Sequence, residues 1–268
     1  MEPTTFTKRA SSVDEINKSV FVDRRQLLVW RIFHGTHFLL GGLCFIAGSC
    51  MYFTTVYEPR PGALVAGGWL FTIGSLFFLL ADLQEWSHYL KGYWFCCLHR
   101  KEYEDSNAGM FRHSRSSLLG LWERSEVGIN VFVSVCGSIF YLIGSIFFIP
   151  ALSDYLITGD WLFIVGSILI FLSQGWKVYR MSRTNPDDQT DHSFRFVNLS
   201  RDIPAFFADA FTGFGGFFYC VGTILFLPRF NGNDSDENRA SILFVLGGCS
   251  FTIGGFFLQY IYYCSRHK

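Results

Sequence analysis

Six long apolar stretches constrain this chain more than any other feature of its sequence. They lie at 33–56, 63–83, 128–149, 159–179, 205–227 and 241–263. Each is long enough to cross the roughly 30 Å hydrocarbon core of a bilayer, which takes about 20 helical residues. Inside lipid every backbone amide needs an internal partner, so such stretches are either helices or barrel strands. Barrel strands alternate polar and apolar residues over about 10 positions, and these runs do not alternate. The chain reads as an all-α integral membrane protein with six transmembrane helices. Charged residues make up 16% of it, against roughly 25% in a soluble domain, and nearly all lie outside the six stretches.

The connections alternate short and long. The short ones, 57–62, 150–158 and 228–240, carry Pro59, Pro61, Pro150, Pro228 and Gly232. The longer ones, 84–127 and 180–204, are polar. The helices therefore pair into hairpins, giving a segment 1–32, hairpins at 33–83, 128–179 and 205–263, linkers at 84–127 and 180–204, and a tail at 264–268. Of the 22 Lys and Arg, only Arg60, Arg229 and Arg239 fall in the short connections. Basic residues stay on the cytoplasmic side, so both termini and both linkers are expected there, in the plasma membrane or an endomembrane. Residues 1–25 lack the apolar core of a cleavable signal, and Ser12 to Phe33 suits an interfacial amphipathic helix, with a partly disordered start as the plainer alternative.

Each stretch carries one further pattern: a Gly, a second Gly seven residues on, and then a small residue. In the first arms these are Gly41, Gly48 and Ser49; Gly137, Gly144 and Ser145; and Gly215, Gly222 and Thr223. In the second arms they are Gly67, Gly74 and Ser75; Gly159, Gly166 and Ser167; and Gly247, Gly254 and Gly255. Seven residues is nearly two helical turns, so both glycines share a face. Lipid tails are as apolar as Leu, so membrane helices associate through close packing, which small residues permit. The seams join either the two arms of a hairpin or neighbouring hairpins. Three hairpins of one orientation make parallel repeats about an axis along the membrane normal, or a row.

The run Thr158-Gly-Asp-Trp-Leu-Phe-Ile-Val-Gly-Ser167, after Ile143-Gly-Ser-Ile-Phe-Phe148, resembles the YrhK domain, a two-helix membrane module. Gly67-Gly-Trp-Leu-Phe-Thr-Ile-Gly-Ser75 repeats the signature, and Gly247-Gly-Cys-Ser-Phe-Thr-Ile-Gly-Gly255 is a degenerate third copy with Cys249 in place of Trp69 and Trp161. The resemblance implies three tandem two-helix modules and brings no catalytic residue or ligand with it.

Ionisable residues inside spans point to ion or substrate sites. His37, Asp82 and Asp209, with Asn130 and Gln174, are candidates for a cytoplasmic vestibule; the plain alternative is interfacial placement. The helix centres carry no charge. Asp160 opens the fourth helix, where an acid complements the helix dipole. Cys96 and Cys97, between aromatic and basic residues, suit S-palmitoylation or are unmodified interfacial cysteines. Asn233-Asp-Ser235 is a glycosylation sequon on an outer loop. With eight Cys placed mostly within spans, no disulfide framework is expected.

No catalytic motif is present, and neither an enzyme nor any cofactor or metal site is expected. Lys plus Arg equals Asp plus Glu at 22 each, so no basic field suits nucleic acid. The expected partners are membrane lipids and a second copy or another membrane protein. The chain reads as a non-enzymatic packing, oligomerising or partner-binding membrane module; the alternative is a channel or transporter with a cytoplasmic-side vestibule.

Overall fold

The computed structural model describes the backbone at 24–106, 114–183, 193–230 and 234–264, and side chains at 29–90, 125–183, 193–230 and 234–264. Six long helices dominate: α1 (Arg24–Cys50), α2 (Gly62–Ser106), α3 (Ser114–Phe147), α4 (Leu156–Arg183), α5 (Ile203–Phe226) and α6 (Asp234–Tyr263). Among the described residues there is no strand. Each of the six contains a window long and apolar enough to cross a membrane, as their Leu, Ile, Val and Phe content dictates.

Every helix packs on its two sequence neighbours, and α6 packs back on α1, so the six close into a ring. Neighbours run antiparallel. In the first pair, an added Cβ at Gly41 would meet the Phe78 ring at 2.9 Å and the Gly74 carbonyl at 3.1 Å, while one at Gly48 would meet Phe71 at 3.1 Å. In the second, Gly137 faces Ile170 and Gly166, and Gly144 faces Gly159 and Phe163. In the third, Gly215 faces Phe251, and Gly247 in turn faces the Gly215 carbonyl; Gly222 faces Phe244 and Ala240. Here Gly247 stands where Gly74 and Gly166 stand in their own pairs. The third pair is thus displaced by one heptad from the sequence alignment that set Gly247 beside Gly67.

A different set of small residues lines the joints between pairs. Gly42 meets Thr252 across α1 and α6, Gly68 meets Phe148 and Ile149 across α2 and α3, and Gly216 meets Ser167 and Phe171 across α4 and α5.

Aromatic side chains fill the ring in layers that take one residue from each pair. Phe45 lies 5.8 Å from Tyr141 and 5.0 Å from Tyr219, ring centre to ring centre, and those two are 6.3 Å apart. Phe71 sits 6.2 Å from both Phe163 and Phe244. Phe78 and Phe251, 4.9 Å apart, share a layer with Ile170, and Tyr52, Phe148 and Phe226 form the layer at the far end. Edge-to-face and offset pairs of this kind add about 0.5–1.5 kcal/mol each beyond area burial. Three interior hydroxyls are satisfied locally: Ser49, Ser167 and Thr223 each donate to the carbonyl four residues back at 2.6–2.8 Å, whereas the buried Tyr52 hydroxyl has no partner among the described residues. Ser49 also pairs with the Tyr219 hydroxyl at 2.9 Å, and Ser167 with the Tyr141 hydroxyl at 3.0 Å.

The outside of the ring is apolar too. Leu43, Ile73, Phe132, Ile168, Phe214 and Phe256 all stand exposed. On a soluble monomer such a continuous apolar surface invites association; facing acyl chains it has its proper solvent.

Helix limits differ from the sequence reading where charge was taken to end a span. α1 stops at Cys50 rather than 56, and Thr54–Tyr57 forms a separate turn. α2 and α3 run on through most of the expected linker 84–127, because helical hydrogen bonding does not need apolar side chains. At the tip, Thr54 N donates to Asn238 Oδ1 at 3.1 Å and Tyr57 donates to Glu237 at 2.7 Å, fastening this turn to the start of α6. Burial and then the Glu237 carboxylate hold the Tyr57 phenol above its ordinary pKa.

Candidate functional site

The end of the ring opposite that tip differs in kind. All the helices except α3 line a cavity of about 50 Å³ there, and α3 reaches it through a hydrogen bond. The positions follow helical spacing: His34 and Phe38 on α1, Asp82 and Glu85 on α2, Gln174 and Lys177 on α4, Asp209 and Thr212 on α5, and Gly254 and Leu258 on α6. Residues three or four apart share a helix face, so each helix turns two of them inward together.

Lys177 Nζ donates to both Glu85 oxygens at 3.2 Å, joining α4 to α2 across the ring. Asp82 is held from α3: Ser134 Oγ donates to Oδ1 at 3.0 Å, and Ser138 Oγ donates to Oδ2. Asp82 and Asp209 both lie within electrostatic reach of Lys177, and Arg180 is close enough to act on Glu85 and Asp209. His34 is buried, stacks on Trp30 at 4.9 Å, and meets the Tyr262 hydroxyl through Nδ1 at 2.9 Å. Above the cavity the layer of Phe78, Ile170 and Phe251 begins the aromatic filling.

Of the five vestibule candidates, Asp82, Gln174 and Asp209 line this cavity. His37 does not. It packs between Phe33 and Phe77, 5.7 Å from each ring, and His34, three residues earlier, takes the inward place. Asn130 is buried in α3 away from the lining, its carbonyl accepting from Ser173 Oγ at 3.3 Å. Glu85 and Lys177 escaped the sequence reading because each lies within two residues of the end given to its span, at 83 and 179. Their signal was the spacing, i+3 from Asp82 and i+3 from Gln174.

Asp160 is corrected as well. α4 begins at Leu156, so Asp160 lies beyond the first turn; it is 1% exposed, and neither carboxylate oxygen has a partner among the described residues. Cys96, Cys97 and Asn233 lie outside the residues whose side chains are described, as does most of the segment 1–32. The described cysteines are all free. Among the described residues, no group of three or more His, Cys, Asp and Glu converges as a metal site requires.

The arrangement can hold a small polar or charged species against a mixed set of carboxylates, an ammonium, an amide and a hydroxyl. It presents no nucleophile paired with a base. No curated protein and no solved structure matches the chain. Residues 29–87 match the family model described as YrhK-like protein, and a YrhK-like domain occupies the first helix pair of the ring.

Proposed function

We propose that the chain is a non-enzymatic, non-conducting membrane module that meets a ligand or partner at the charged end of its ring. In this reading three parallel copies of one helical hairpin, each seamed by its paired glycines, surround an aromatic plug. Both termini and the cavity face the cytoplasm, in the plasma membrane or an endomembrane. The repeat reading draws support from the layers, each of which takes one side chain from every helix pair. Two further features fit the same picture. Trp69 and Trp161 stand exposed near the tips, where indoles suit a membrane interface. Burying charges costs several kcal/mol per ion, and the layer of Tyr52, Phe148 and Phe226 closes the far end with aromatic side chains alone.

The single observation that carries the non-conducting reading is the filling of the ring by these rings from end to end. Protein reconstituted into liposomes is expected to pass no protons, alkali ions or chloride above protein-free vesicles under a gradient or potential. Measurable flux overturns it. The alternative, a transporter whose vestibule is this cavity, draws on the same charges and requires flux that falls with Asp209→Asn. Orientation has its own test. A cysteine at Glu58, exposed at the first tip, is expected to react with an impermeant maleimide from outside intact cells; labelling from the cytosolic side alone reverses the topology.

A further inference from the structure

We infer that the charged cavity binds a small monovalent cation, held between Gln174, Asp209 and Thr212. The inference rests on the reading of this cavity as the chain's ligand-binding end, and it names the ligand class.

Charge comes first. Asp82, Glu85 and Asp209 line the space, and Lys177 and Arg180 are the cations within reach of them. Three lining carboxylates face one lining ammonium, with Arg180 and Asp202 both acting on Asp209 from beside the cavity, so the balance is negative. The lysine is already engaged by both oxygens of Glu85, and Asp82 is engaged by two serines. Asp209 accepts no hydrogen bond from any described residue, although it lines the cavity. The uncompensated charge is therefore best assigned to the side of the cavity formed by α4 and α5.

The second observation is independent of charge. Gln174 is only 5% exposed and lines the same space, yet its carboxamide has no hydrogen-bond partner among the described residues. Buried polar groups are almost always paired, so this amide is built to meet something in the cavity. Thr212 has given its proton to the Ala208 carbonyl at 2.7 Å, which leaves the hydroxyl oxygen only lone pairs to offer. An amide oxygen, a carboxylate and a spent hydroxyl are hard oxygen donors, the kind that hold hard cations. No sulfur or free imidazole competes, because His34 is engaged by Trp30 and Tyr262.

Size and charge narrow the class. About 50 Å³ has no room for a bulky organic cation. Among the described residues the carboxylates do not converge on one point as a divalent ion requires. An alkali ion or ammonium fits both limits.

The test is thermal unfolding of the purified full-length protein in detergent, followed by tryptophan fluorescence. The salt is varied among sodium, potassium, ammonium and choline chloride at fixed ionic strength and pH. A ligand of the folded state alone raises the midpoint saturably with its affinity. At least one small cation is expected to raise it by several degrees over choline. Asp209→Asn is expected to abolish that shift and to unfold in choline at or above the wild-type midpoint, since it removes the uncompensated charge. Gln174→Glu, which adds a charge, is expected to lower the concentration giving half the shift. Equal midpoints in all four salts overturn the inference, as does a full shift retained by Asp209→Asn. Flux in liposomes together with a cation-dependent shift would instead remove the non-conducting reading and leave this site standing.

Discussion

Gly144→Leu is expected to destabilise the protein by about 3 kcal/mol or more, enough to lose most of the folded fraction on mild heating in detergent. An added Cβ there would sit 2.9 Å from the Gly159 carbonyl oxygen and 3.1 Å from Phe163 N. Both are backbone atoms of α4, so no rotamer change relieves the clash, and the two helices must part along the seam. Overpacking a core costs typically 1–3 kcal/mol; a rigid backbone obstacle belongs at the top of that range. Gly166→Leu meets the Gly137 carbonyl at 2.9 Å and is expected to behave alike. Gly175, more than two turns past Gly166 on the same helix, has nothing within 4 Å of an added Cβ. Gly175→Ala is the control and is expected to be neutral or to stabilise by up to about 1 kcal/mol, the helix propensity difference. If Gly144→Leu and Gly175→Ala unfold at the same temperature, the glycine seams do not hold the helix pairs together.

Lys177→Met is expected to cost roughly 2–3 kcal/mol. It leaves Glu85 without the ammonium that both its oxygens accept, beside Asp82 and Asp209. Removing one partner of a fully buried pair costs about 3–5 kcal/mol. Here the side chains remain 17% and 30% exposed for Lys177 and Glu85, which lets water recover part of that. Glu85→Leu combined with Lys177→Met is expected to regain much of the loss, because the pair is replaced by apolar contact and Glu85 no longer stands without its ammonium. Unfolding midpoints of the two single variants and the double variant give the coupling directly. A double variant no more stable than Lys177→Met alone would show that the two side chains do not act as a pair.

The two sets of residues differ in how legible they were. Spans and paired helices follow from hydropathy and loop length, since lipid leaves a backbone no other course than to bond within its own helix. Asp82, Gln174 and Asp209 could be picked out as polar groups at span ends. The choice of His34 over His37 could not. The two are three residues apart on one helix, and a modest rotation of α1 decides which one faces inward. Glu85 and Lys177 carry no local mark of their pairing; only the packing of α2 and α4 brings these residues, 92 apart in sequence, within 3.2 Å. Asp160 was legible as an acid near a helix start but not as a buried one, because its burial depends on where its neighbours lie.

The amino-acid order alone determined six apolar helices and, in each, a pair of glycines seven residues apart. That spacing has an ambiguity built into it: sliding one helix by seven residues returns a small residue to nearly the same place, so the repeat cannot report its own register. Ala240, Gly247 and Gly254 are such a ladder, and only the packing of α6 on Gly215 and Gly222 selected the first two as partners. Tertiary structure likewise closed the ring and gathered one charged end from five helices, because which groups meet depends on rotations and offsets between helices that no local pattern encodes.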